Sequence, residues 1–355
     1  MKLFYHKIYC KKRSIALLLA LTLCLAVVLG GCKKEEEPQP PPEPEDPNFP
    51  VELNLREKTV TIGEKPTAVV SLSPAITNTL LDMGMEEALA GVSQYCLSLP
   101  GAQGLQNCGT AQNVNLEAVK ALAPQILFTD TPLLSQQLTA LYQMNVEVVE
   151  ITRPESIGAI EERQLLLAQA LYGKEEGFQR GRAYQKQYHS RWEDIMEPLA
   201  RWSQENNSLT AILLAYSNTT MATGDTFEGS LLEQMGFINL GNSGFNWQYQ
   251  PKEGEALSPE IIFYNSALEE EAIAASEFYK ESPAVAQGRL YPVEWQNIHL
   301  QGENMLKELE AMAREYYPEA FTASGENSVE DTQPSGDDAP PQETEQEEGD
   351  APQEE

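Results

Sequence analysis

Residues 175–204 run for about 30 positions without a strand signal, and this run constrains the fold more than any other segment. A helix of that length rises 1.5 Å per residue and spans about 45 Å, the width of a whole domain, so it cannot fold back inside one small core. Pro198 is its one interruption. On both sides, short apolar runs alternate with amphipathic stretches, the pattern of βα units that feed a mainly parallel sheet. The chain therefore reads as α/β: two lobes with mainly parallel sheets flanked by helices, joined by a single long connector helix.

Within the first half, 68–72 reads as a buried strand and 75–83 as a helix stopped by Gly84. A helix at 115–122 ends at Pro124, and a strand follows at 125–128. Residues 133–142 read as a helix, 146–151 as a strand, and 155–172 as a helix interrupted by Gly173. After the connector the alternation resumes with a strand at 209–215, a helix at 229–235 stopped by Gly236, strands at 261–264 and 290–293, and a closing helix at 302–316. Ala121-Leu122-Ala123-Pro124-Gln125-Ile126-Leu127-Phe128 parallels Ala256-Leu257-Ser258-Pro259-Glu260-Ile261-Ile262-Phe263. Each reads as a helix end, a proline break and a buried strand, as duplicated halves would repeat.

The chain ends are of another kind. Lys2, Lys7, Lys11, Lys12 and Arg13 precede an uncharged apolar run at 14–29. Such a run, about 16 residues, is shorter than a membrane span and suits a signal sequence. It closes on Leu29-Gly30-Gly31-Cys32, which resembles the bacterial lipobox, and this resemblance implies lipid attachment at Cys32 and an extracytoplasmic, membrane-anchored protein. Proline and glutamate then dominate, reading as an extended, solvated tether. From Glu319 onward there are many acidic residues and no Lys or Arg, a composition that cannot bury enough apolar surface to offset chain entropy. The expected organisation is a signal peptide at 1–31, a tether at 32–50, a first lobe at 51–173, the connector at 174–206, a second lobe at 207–318 and an acidic disordered tail at 319–355. The formal net charge of -30 argues against nucleic acid, whose phosphates need a basic face.

Of the five cysteines, only Cys96 and Cys108 fall in the folded part. An even pair this close, outside the cytoplasm, reads either as a disulfide or as two free thiols. There is no H-E-x-x-H, G-x-S-x-G, P-loop or G-x-G-x-x-G, so no enzyme is expected. The three histidines, His6, His189 and His299, are too few for a bare zinc or manganese site, and neither a resident metal nor a cofactor is expected.

Several segments carry a family resemblance. Val69-Val70-Ser71-Leu72-Ser73-Pro74-Ala75-Ile76-Thr77, the segment 80–84, Gly91-Val92-Ser93-Gln94-Tyr95-Cys96 and Asn115-Leu116-Glu117-Ala118-Val119 resemble the opening of the cobalamin and ferric-siderophore periplasmic binding proteins. So do 224–236, with its TFEGSLLEQMG, then Ser282-Pro283-Ala284-Val285, Gly288-Arg289-Leu290-Tyr291 and a last helix ending at Tyr317-Pro318. The resemblance spans the whole core, in order. It implies a substrate-binding lipoprotein of an ABC importer, a monomer that holds a small-molecule metal chelate between its lobes and passes it to a permease and its ATPase. The implied lining is Ser73, Pro74, Tyr95, Tyr216, Thr220, Phe227, Trp247 and Trp295. Trp247 and Trp295 have a second reading as caps of a core, and Phe227 reads equally as a core residue. Permease docking is implied for Glu117 and, in the second lobe, for Glu253. Arg153 and Arg289 stand isolated, without the cluster that an anionic catecholate calls for. A corrinoid or hydroxamate-type ferric siderophore fits best, with haem open through Tyr or Met ligation. A sensor or adhesion lipoprotein on the same fold is the alternative.

Overall fold

The computed structural model describes residues 46–56, 58–249 and 256–322. The signal segment, Cys32, Glu253 and the tail beyond Thr322 lie outside the described residues. The fold opens with an antiparallel hairpin, β1 (Val51–Asn54) and β2 (Thr59–Ile62), which the sequence reading missed. Then come β3 (Val69–Ser71), α1 (Pro74–Asp82), β4 (Leu89–Val92), β5 (Gln106–Asn107), α2 (Leu116–Leu122), β6 (Ile126–Thr129), α3 (Ser135–Gln143), β7 (Glu147–Glu150) and α4 (Ile157–Tyr172). Strands β3 to β7 form a parallel sheet in the order β5-β4-β3-β6-β7. Its central strands are apolar on both faces, as a sheet covered by helices on both sides requires.

Local sequence explains the helix starts. Ser73 caps α1: its Oγ accepts from the Ile76 amide, and Pro74 occupies the first turn, where a missing N–H costs nothing. Ser156 caps α4 in the same way through the Ala159 amide. The connector, α5 (Glu175–Glu205), is a continuous helix of 31 residues. Its first two amides, of Glu175 and Glu176, donate to Asn48 Oδ1 at 3.1 and 3.0 Å. Phe49 is buried in the first-lobe core. The expected tether therefore stops short of residue 50: its last residues belong to the fold, because they supply a cap and an apolar anchor.

Glycines at 177 and 181 let α5 lie against α4; a Cβ at Gly177 would sit 2.6 Å from the Ala168 carbonyl oxygen. Further along, Tyr188, Trp192, Ile195, Met196 and Leu199 enter the second-lobe core. Pro198 does not break the helix, although it removes one intrahelical hydrogen bond. Buried neighbours on either side, Ile195 and Leu199, anchor the helix through that point.

The second lobe comprises β8 (Thr210–Ser217), β9 (Thr220–Met221), α6 (Phe227–Gln234), β10 (Ile238–Asn239), β11 (Ile261–Asn265), α7 (Glu270–Ala274), α8 (Pro283–Ala286), β12 (Leu290–Val293), α9 (Trp295–Leu300), α10 (Glu303–Tyr316) and α11 (Pro318–Thr322). Its parallel strands run β10-β8-β11-β12, with β9 antiparallel on β8. This repeats the first-lobe order β4-β3-β6-β7. The sequence echo falls on β6 and β11, which hold equivalent places beside β3 and β8. Its helical half does not repeat, since 256–259 are irregular. Ala320 is buried in α11, so the fold continues past residue 319.

Because α4 and α5 meet at backbone distance, Gly177→Ala is expected to overpack the contact and cost about 1–3 kcal/mol. Urea unfolding checks this: a midpoint equal to that of the wild type would contradict the close approach.

Candidate ligand-binding cleft

Parallel strands deliver their following loops to one edge of each sheet, where side chains are free of the ladder and available to a ligand. In the first lobe the turn after β3 carries Ser73 and Pro74, and the turn after β4 carries Tyr95. In the second lobe Tyr216 closes β8, Asn265 closes β11, and Trp295 follows β12 at the start of α9. A cavity of about 430 Å³ lies between these groups. Pro74 and Tyr95 line it from one lobe; Tyr216, Asn265, Glu294, Trp295 and His299 line it from the other.

Its character is aromatic. Tyr216 is 63% exposed and Tyr95 60%, so both rings stand open at the cavity rather than packed into a core. Trp247 does not itself line the cavity but backs the two rings that do: its ring centre lies 6.3 Å from that of Tyr216 and 5.5 Å from that of Trp295, and Tyr216 and Trp295 are 5.9 Å apart. These tilted and edge-on arrangements are the favoured ones for π systems. No Lys or Arg lines this cavity. Burial, and then the charge of Arg153, push the His299 imidazole below its ordinary pKa, so it stands neutral at the wall. Among the described residues no group of three or more His, Cys, Asp or Glu could hold a metal ion.

The remaining candidates divide. Ser73 is fully buried behind the wall, where its hydroxyl donates to the Asp130 carboxylate after β6. Thr220 pairs with Ser217 in the β8–β9 hairpin and does not line the cavity. Phe227 corrects the expectation of a contact residue: it is 5% exposed, and at the start of α6 its ring turns into the second-lobe core. Cys96 and Cys108 are both free, so the disulfide reading is also corrected. Cys96 packs with Val69, Ile126 and Val149, whereas Cys108 packs with Val70, Leu127 and Val148, the opposite face of the same sheet. The sheet itself separates the two sulfurs. Burial raises the pKa of both thiols, that of Cys108 to about 11. Glu117 is exposed in the first turn of α2. His189 lies on the connector surface between Glu161 and Glu193, and the Glu161 contact, first among the causes, raises its pKa.

The sequence reading missed the groups that join the lobes beneath the cleft. Arg153, far from isolated, reaches across to the buried Glu228 of α6 at 2.8 Å. Arg163 is fully buried in α4 and donates to both the side chain and the backbone carbonyl of Gln301 at 3.2 and 3.1 Å. Gln301 in turn donates to the Pro154 carbonyl oxygen at 2.7 Å, and the Glu303 amide donates to Asp82 of α1 at 3.1 Å. Nothing in the sequence pairs residues more than seventy positions apart; only the fold does so. A larger cavity, about 800 Å³, lies between the β1–β2 turn, the loop after β7 and α4. It is lined by first-lobe residues alone, mixes Arg and Lys with three glutamates and has no aromatic wall. The smaller cavity draws groups from both lobes, and so it is the candidate site.

Two α/β lobes on one long helix, with an aromatic cleft at the strand ends, define a cleft-type solute-binding protein. Residues 69–294 match the periplasmic binding protein family, and the chain belongs to it. An uncharacterised ABC transporter substrate-binding lipoprotein of Bacillus subtilis, YvrC, is 23% identical over 321 residues, covering 88% of this chain and 99% of that one. The vitamin B12 binding protein BtuF of Vibrio cholerae superposes with a TM-score of 0.55 at 17% identity, over 72% of this chain and 98% of its own. CeuE of Helicobacter pylori, solved in a nickel–histidine complex, gives a TM-score of 0.60 at 17% identity, over 78% of this chain and 91% of its own.

In the interlobe pair Glu228 is buried and Arg153 is one third exposed, so removing Arg153 leaves a buried carboxylate without its cation. Arg153→Ala is expected to destabilise the fold by about 1–3 kcal/mol, and Arg153→Ala combined with Glu228→Gln to recover part of that loss. A double-mutant cycle in urea showing additive effects would remove the coupling.

Proposed function

We propose that this protein captures a metal chelate, a corrinoid or a hydroxamate-type ferric siderophore, against the aromatic wall of its interlobe cleft. It is an extracytoplasmic substrate-binding protein of an ABC importer and delivers its cargo to the permease, whose ATPase drives uptake. The observation that carries the choice of ligand is the Tyr216–Trp295 pair, backed by Trp247 and opposed by Tyr95 from the other lobe. Aromatic faces suit a broad, flat, partly apolar ligand, while the Tyr hydroxyls and Trp indole N–H groups bond its polar edge. A wall that carries Glu294 and a neutral His299 but no cation disfavours polyanionic catecholates. Haem stands as the third candidate through the exposed tyrosines. Pro74 shapes the first-lobe rim, and Ser73 holds the loop behind it. Cys32, outside the described residues, is the proposed site of lipidation, and the protein acts as a monomer. Glu117, exposed on a short helix of the first lobe, is the proposed contact for the permease, with Glu253 its second-lobe counterpart. Rim charges of this kind set orientation and encounter rate more than affinity.

Thermal-shift titration with cyanocobalamin, ferrichrome, a ferric catecholate and haemin tests the reading. A cognate chelate at 100 times its Kd adds about 2.7 kcal/mol of stability; no shift with any of the four would end the proposal. Trp295→Ala is expected to weaken that binding at least tenfold, about 1.4 kcal/mol. The unliganded melting midpoint should then move by less than about 4 °C. A large fall in the midpoint with unaltered affinity would make Trp295 a core residue. Glu117→Arg is expected to abolish cellular uptake of the labelled chelate with its Kd unchanged, and normal uptake would remove the docking role.

A further inference from the structure

The turn that carries Trp247 is built against the preferences of its own sequence. The Phe245 amide donates to the Gln248 carbonyl oxygen at 3.1 Å, and the Gln248 amide donates back to Phe245 at 3.0 Å. These bonds close a two-residue hairpin whose central residues, Asn246 and Trp247, have φ of 49° and 66°. Turns with both central residues left-handed take Asn-Gly, because Asn visits that region readily and Gly pays nothing there. A tryptophan in the second place is an outlier, since its Cβ crowds the following carbonyl. Such strain persists only where surrounding groups over-determine it, and it collects at functional sites.

The surrounding groups are all on the second lobe. The Asn246 amide donates to both carboxylate oxygens of Asp225, at 3.1 and 2.9 Å. Thr223 Oγ1 donates to Asp225 Oδ1 at 2.6 Å and accepts from the Trp247 amide at 3.2 Å. The Met221 amide donates to the Trp247 carbonyl oxygen at 3.1 Å. Gly244 permits the approach: a Cβ there would meet Thr223 Cγ2 at 2.5 Å. Asp225 is exposed and forms no ion pair among the described residues; its carboxylate is engaged by Thr223 and Asn246. Those two bonds, the Thr223 hydroxyl first, hold its carboxyl below the usual range.

We propose that Asp225 is the positioning residue of the cleft: its carboxylate clamps the strained Asn246–Trp247 turn and presets the Trp247 indole as the backing of the Tyr216 and Trp295 rings that line the cavity, before a ligand arrives. The proposal rests on the reading of this cleft as the ligand site. Preorganisation of this kind strengthens binding by removing an ordering cost that would otherwise be met at association.

The test uses the full chain with ¹⁵N-indole-labelled tryptophan, the Trp247 resonance being assigned by its loss in Trp247→Phe. Asp225→Ala is expected to shift or split the Trp247 resonance while those of Trp192 and Trp202 stay in place. It should also weaken, by about tenfold, the binding of whichever of cyanocobalamin, ferrichrome or haemin stabilises the wild type. Asp225→Asn keeps one acceptor oxygen and should fall between the two. A Trp247 resonance unchanged in Asp225→Ala overturns the clamp, whatever the ligand proves to be. Movement of all the tryptophan resonances together overturns it too, because Asp225 would then hold the fold and not the turn. A shifted Trp247 resonance with unchanged affinity leaves the clamp standing and removes the ligand from this wall.

Discussion

The two lobes share no sheet, so their relation depends on one helix that belongs to both. The first half of α5 lies against α4 through glycines; its second half supplies Trp192, Ile195 and Leu199 to the other lobe's core. A helix of 31 residues with buried contacts along its length resists bending, because each bend would open apolar packing. Beneath the cleft, Arg163, Gln301 and the Arg153–Glu228 pair add polar ties. In such a frame the lobes are held in place, so the cleft must be built by its own loops.

That requirement accounts for the chemistry at the strand ends. The aromatic side chains come from three separate segments of the second lobe and meet with ring centres 5.5 to 6.3 Å apart. The first lobe offers fewer groups, Pro74 and Tyr95, on a rim braced by Ser73 and Asp130. One lobe provides most of the aromatic surface of the cleft, and the other provides the opposing rim.

Much of this was legible from residues alone, because helix and strand periodicity is a local property. The connector was found within a residue of its end, and β12 was found at its bounds. The eight-residue echo located equivalent strands, β6 and β11, in two sheets of the same order. What escaped was short or non-local. The hairpin β1–β2 has only 4 residues per strand and no companion nearby to mark it. Asn48 reads as tether until α5 is seen to need a cap, and Phe227 reads as loop until its ring is seen to face the core. Arg153 looked isolated because its carboxylate lies 75 positions away. The left-handed Trp247 had no signal at all; a turn that wants glycine and contains tryptophan is visible only as geometry.

The two thiols carry a last consequence. Cys96 and Cys108 lie in separate apolar compartments on either side of one sheet, and burial keeps them protonated. Maturation of this lobe therefore needs neither an oxidase nor an isomerase, and reductants in the surroundings have no bond to attack.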